Sequence, residues 1–176
     1  MKEKVIPYVE FRAMEPEDLD TLYTIENDKS MWDVGTTNVP YSKFVLHQYI
    51  ANTINDIYAD KQVRMIAVDD RGETVGIVDL VNFNPQHNRA EVGIVVLKAR
   101  RRQGYGTAII TKLIDYCRST LHLHQIYGII SCDNISSRNL FKELNFSEVI
   151  PLAHWLYDGK DYKDAIMMQF FCKKYR

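Results

Sequence analysis

Between positions 89 and 132 the sequence changes period twice, and that change limits the folds open to the chain. Arg89 to Leu97 is apolar and of strand length. Three arginines and a Gly-x-Gly follow, and then Gly104 to Leu121 places Ala108, Ile109, Leu113, Ile114, Cys117 and Leu121 on one helical face. Gln125 to Cys132 is strand-like again. A strand, a helix and a strand form a crossover unit, which joins parallel strands of one sheet.

The flanking segments add antiparallel pieces. Tyr8 to Arg12 alternates like a strand, and Glu17 to Glu26 and Ser42 to Tyr58 have helical spacing. Met31 to Tyr41 reads as a loop. Val63 to Val68 and Thr74 to Phe83 form a hairpin about Asp69-Asp70-Arg71-Gly72. Asn134 can cap a short helix running to Leu144. Ser147 to Leu156 and Ala165 to Cys172 are strands about Tyr157-Asp158-Gly159-Lys160. The expected fold is α+β, a mixed and mostly antiparallel central sheet flanked by helices. Residues 1–176 read as a single domain, with no repeat, low-complexity segment or linker.

Composition narrows the function classes. Lys plus Arg total 22 and Asp plus Glu total 23, a formal charge of −1, so no nucleic-acid partner is expected from global basicity. No apolar run approaches the roughly 18 residues of a membrane helix, so no membrane partner is expected. The three cysteines form no C-x-x-C, and no metal site is expected. Reduced thiols and the lack of a signal pattern make the cytoplasm the expected location.

The chemistry concentrates in Lys98-Ala99-Arg100-Arg101-Arg102-Gln103-Gly104-Tyr105-Gly106-Thr107. Glycines allow close backbone approach, and the first amides of a helix have no internal acceptor. With the helix dipole and the arginines, the segment suits a pyrophosphate. It departs from G-x-G-x-x-G, because Ile109 takes the third glycine's place.

Arg101-x-x-Gly104-x-Gly106 after a strand resembles the acetyl-CoA signature of the GCN5-related N-acetyltransferases (GNAT). Asn134-Ile-Ser-Ser-Arg-Asn-Leu-Phe-Lys-Glu-Leu-Asn-Phe146 resembles that family's second motif. Asn88-Arg89-Ala90-Glu91 and Tyr157 to Asp164 resemble its spermidine and ribosomal-protein branch. The resemblance implies the acyl-CoA N-acyltransferase fold and acetyl-CoA as co-substrate. Arg101, Arg102, Gln103, Gly104, Tyr105, Gly106 and Thr107 would surround the pyrophosphate. The backbone of Ile94, Val95 and Val96 would pair with the pantetheine arm, and Asn134, Ser137, Arg138 and Phe141 would complete the cofactor site.

Glu91 is then the expected catalytic base, since a free alkyl amine with a pKa near ~10.4 must lose a proton. Glu26, Asp33 and Asp79 are the acids expected to hold a cationic acceptor. The family's acid, a tyrosine, falls on Phe141, and its terminal glycine falls on Asn145. The branch's acidic pair near a Trp is reduced to Asp33 beside Trp32. The expected activity is acetyl transfer to a primary amine: a polyamine such as spermidine, a peptide or protein amino terminus, or another small amine. A non-catalytic CoA-binding sensor and a nucleic-acid module using Lys98 to Arg102 are the rival readings. Family members are often dimers or larger, so a homo-oligomer is expected by analogy.

Overall fold

The alternating segments assemble into one seven-stranded sheet in the order β1-β2-β3-β4-β5-β7-β6. The computed structural model describes residues 6–31, 39–54 and 56–172. The strands are β1 (Glu10–Arg12), β2 (Val63–Val68), β3 (Thr74–Asn84), β4 (Arg89–Val96), β5 (Gln125–Ser131), β6 (Ser147–Tyr157) and β7 (Tyr162–Phe171). β4 and β5 are parallel, and every other neighbouring pair is antiparallel. The mixed, mostly antiparallel sheet is the one expected.

Two apolar layers cover it. On one face α1 (Leu19–Glu26) and α2 (Lys43–Asn52) bring Leu22 and Leu46 onto Ile66, Val68 and Ile77. On the other, α4 (Tyr105–Ser119) sets Ile109, Leu113 and Cys117 against Val78, Leu80, Ala90, Val92 and Ile126. α5 (Ile135–Glu143) adds Phe141 to that second cluster. Alternation along β4 fixes the division: Ala90 and Val92 are buried under α4, and Glu91 and Gly93 turn to the other face.

The helix expected over 42–58 is interrupted. α2 ends at Asn52, with Thr53 in extended backbone and its hydroxyl bonded to the Tyr49 carbonyl at 2.7 Å. A short helix α3 (Ile57–Asp60) restarts where Asp56 accepts from the Tyr58 amide at 2.8 Å. Val45, Ile54 and Tyr58, expected on the apolar face, are exposed, while Leu46 and Ile57 are buried. A capping aspartate and β-branched residues outweigh the continuing apolar period. β7 also begins three residues earlier than expected, at Tyr162. No helix among the described residues is long and apolar enough to cross a membrane.

Candidate active site

Parallel pairing joins Arg89 to Gln125, Ala90 to Ile126 and Glu91 to Tyr127, and then stops. Beyond it β4 stays with β3 as far as Val96, and β5 stays with β7 as far as Ser131. The strands diverge, and the edge of β4 from Val92 to Val96 borders a cleft. The packing at the vertex is close. A Cβ on Gly128 would lie 3.1 Å from Phe141 Cε1 and 3.5 Å from the Val92 carbonyl. Only bare backbone fits between that ring and β4. Open strand-edge amides and carbonyls need partners, and a ligand arm carrying amide groups can supply them as a strand would. Ile94, Val95 and Val96 lie along this edge, where the sequence reading put them.

The cleft leads to the start of α4. Gly104 is the residue before the helix and has φ 88°, a left-handed backbone that suits glycine. Arg102 is also left-handed, at φ 63°. Ala108 donates to the Gly104 carbonyl at 3.1 Å, the first bond of the helix. The amides of Tyr105, Gly106 and Thr107 precede it and have no intrahelical acceptor. They share the end of the helix where the dipole favours an anion.

The side chains around this turn divide their duties. Arg101 Nε donates to the Val96 carbonyl at 3.1 Å, which draws its guanidinium to the end of β4. Arg102 is exposed. Arg100 turns away onto Glu73 and Asp69. Gln103 spends its carboxamide nitrogen on the Ala99 carbonyl at 2.9 Å, so its remaining contribution is backbone.

The second motif builds α5 and its junction with β6. Asn134 Oδ1 accepts from the Ser137 amide at 3.1 Å and caps α5. Arg138 holds two partners: Nε and Nη2 donate to Glu148 at 2.9 and 2.7 Å, and Nη1 donates to the Cys132 carbonyl at 3.1 Å. The guanidinium ties α5 to β6. Phe141, expected at the cofactor, is only 4% exposed and stacks edge-on with Phe146 at 4.7 Å. It shapes the vertex from below. Asn145 takes φ 65°, the left-handed geometry that let it stand for glycine.

On the face opposite α4, three acids were expected at the acceptor. Glu26 and Asp79 meet there, but through a cation. Arg64 binds Asp79 through Nε and Nη2, at 2.6 and 3.1 Å, and Glu26 through Nη1. Burial opposes the charge of Arg64, yet Asp79 and then Glu26 outweigh it and hold the guanidinium more firmly protonated than usual. The Tyr49 ring lies 5.9 Å from the guanidinium carbon. Two carboxylates around one cation leave one net negative charge. Asp33 lies outside the described residues.

Glu91 stands at the vertex. Asn82 Nδ2 donates to its Oε2 at 2.8 Å. Tyr127 is its partner across the parallel pair. Sequence reasoning missed both neighbours. Asn82 sits in a bulge of β3 with φ 51°, and Tyr127 reaches Glu91 only through the β4–β5 register.

Residues 9–147 match the family described as Acetyltransferase (GNAT) domain. The chain is 29% identical over 171 residues to the spermidine N(1)-acetyltransferase of Escherichia coli K12, covering 95% of this chain and 88% of that one. It is 25% identical over 164 residues to the enzyme of that name from Vibrio cholerae, with 93% of each covered. A crystal structure of spermidine N-acetyltransferase from Vibrio cholerae, in complex with CoA and spermine, superposes with a TM-score of 0.83. That likeness, at 24% identity over 93% of this chain and 95% of that one, concerns the fold. With the open β4 edge and the amide-lined turn at Gly104, the match over most of the sequence places the chain in the GNAT acetyltransferase family, as an N-acetyltransferase that uses acetyl-CoA.

Proposed function

We propose that the chain acetylates a polyamine directly, with Glu91 taking the proton of the attacking amine. The observation that carries this reading is the position of Glu91 at the closed end of the cleft, beyond the β4 edge that starts at the Gly104 turn. Four residue steps from Val96 to Val92 span roughly 13 Å, room for an extended arm with its thioester near the vertex. Acetyl-CoA supplies an activated acyl group there. Arg101, Arg102 and the amides of Gln103 to Thr107 hold the diphosphate end, and Ile94 to Val96 align the arm.

A polyamine arrives as a cation. The excess negative charge of Glu26 and Asp79 around Arg64 favours it on this face, and Asp33 is part of the same proposal. The amine, whose free pKa lies near ~10.4, must first lose its ammonium proton to solvent, and Glu91 then receives the proton shed on attack. A general base of this kind contributes typically about 10²–10⁴-fold. The names of the two relatives covering more than nine-tenths of the chain support a polyamine acceptor. A homo-oligomer belongs to the same reading, because β6 ends the sheet and exposes Val149, Ile150, Trp155 and Tyr157. Sedimentation of the free protein tests that part, and a monomer at micromolar concentration would remove it.

Thiol release from acetyl-CoA with a panel of polyamines, amino acids and peptides tests the acceptor. Turnover should be highest with spermidine or spermine. A preference for peptide amino termini, or a flat panel, would overturn the polyamine assignment.

A further inference from the structure

Phe141 occupies the position from which the family's tyrosine donates a proton, and a phenyl ring has none to give. The vertex supplies another phenol. Tyr127 lies on β5 directly across from Glu91 on β4, at the last pair before the strands part. Residues paired across neighbouring strands share a face, so both side chains stand on the face opposite α4. One is on each lip of the cleft, paired across the strands, and the Glu91 carboxylate acts electrostatically on the phenol. Asn82 Nδ2 braces the arrangement through Glu91 Oε2 at 2.8 Å.

We propose that Tyr127 is the proton donor to the leaving sulfur, taking the task that Phe141 cannot perform. The proposal rests on the reading of Glu91 as base. The reacting nitrogen first gives its ammonium proton to solvent; as the neutral amine then bonds to the acetyl carbon, the proton it sheds passes to the Glu91 carboxylate. The carbon–sulfur bond breaks, its electron pair stays on sulfur, and the phenol proton of Tyr127 goes to that sulfur. The phenolate recovers a proton from the carboxylic acid of Glu91, its partner across the strand pair. From the neutral amine onward, the net change is one proton moved from nitrogen to sulfur, and both side chains end as they began.

Tyr127 is suited to the task because it keeps its proton at neutral pH. Burial raises its pKa, and the Glu91 carboxylate raises it further, while Arg89 pulls the other way. The remaining neighbours by register or contact, Gln169 on β7 and Asn82 on β3, are uncharged.

Tyr127→Phe keeps the ring and removes the proton. It should lower kcat by about 10²-fold, leave both KM values within about threefold and leave the melting temperature nearly unchanged. A second variant carries 3-fluorotyrosine at 127, whose phenol ionises more readily. The alkaline limb of kcat should move to lower pH, in step with the ¹⁹F titration of the free protein. In Glu91→Gln the same ¹⁹F titration should move to lower pH without any substrate present. The proposal is overturned if Tyr127→Phe keeps kcat within about threefold, or if fluorination leaves the limb in place. It is also overturned if Glu91→Gln leaves the phenol titration unmoved. Loss of turnover in Glu91→Gln with full turnover in Tyr127→Phe would defeat this inference alone. An unaltered pH–rate profile in Glu91→Gln would defeat the reading of Glu91 beneath it.

Discussion

Arg64 forks onto Asp79, Nε to one carboxylate oxygen at 2.6 Å and Nη2 to the other at 3.1 Å, while its third nitrogen holds Glu26 at the end of α1. One guanidinium thus joins the acceptor-side helix to the sheet. The side chains are only about one-fifth exposed, so their charges are poorly hydrated. Removing the cation strands two carboxylates. Arg64→Met should cost about 2–3 kcal/mol in urea unfolding, below the range for fully buried pairs. Arg64→Met with Asp79→Asn should recover part of the loss.

The residues after α1 are also tied to the segment that leads into α4. Lys98 Nζ lies 2.7 Å from Asp28 Oδ2, and Asp28 also accepts from Ser30. Lys98 first, and then the Ser30 contacts, lower the pKa of Asp28 to about 2. A carboxylate depressed in the folded state adds stability that is fully present above its unfolded value and is lost as pH falls toward 2. Carbon-detected titration of Asp28 should find its midpoint near pH 2, and Lys98→Met should move that midpoint upward. High salt should move it the same way, because the Lys98 ammonium is exposed and its charge is screened.

Gly104 holds φ 88° where the chain turns into α4. Gly104→Ala should cost about 1–2 kcal/mol, the penalty of a left-handed residue bearing a Cβ. It should also raise the KM for acetyl-CoA far more than the KM for the amine. Equal changes in the two constants would show that the turn does not face the nucleotide.

Arg138 belongs to the α5–β6 junction through Glu148 and the Cys132 carbonyl. Arg138→Met should lower the melting temperature and leave the affinity for CoA unchanged in isothermal titration. A large loss of CoA affinity at unchanged stability would return Arg138 to the cofactor site.

Much of this arrangement is legible in the sequence, for reasons that differ by residue. Val63–Val68 and Gln125–Ser131 are apolar runs of strand length bounded by turn chemistry, so their existence follows from pattern. Gly104, Asn134 and Asn145 declare their backbone duties by residue type: a left-handed turn, a cap and a second left-handed position. The break after Asn52 is hidden because Ile57 carries the same apolar face onward. The partners of charged groups are hidden for a different reason. Arg64 meets Asp79 through strand register and Glu26 through the packing of α1 on the sheet, across 15 and 38 residues of chain. Tyr127 reaches Glu91 by the same kind of accident of register, so a reading limited to local motifs stops at Phe141.

The seat for CoA is the claim on which the other readings depend, and amide chemical shifts report on it directly. Titrating ¹⁵N-labelled protein with CoA should move the resonances of Arg102 to Thr107 and of Val92 to Val96 along one saturating curve. Saturation that leaves both groups in place, or that shifts only residues elsewhere on the sheet, would contradict the account.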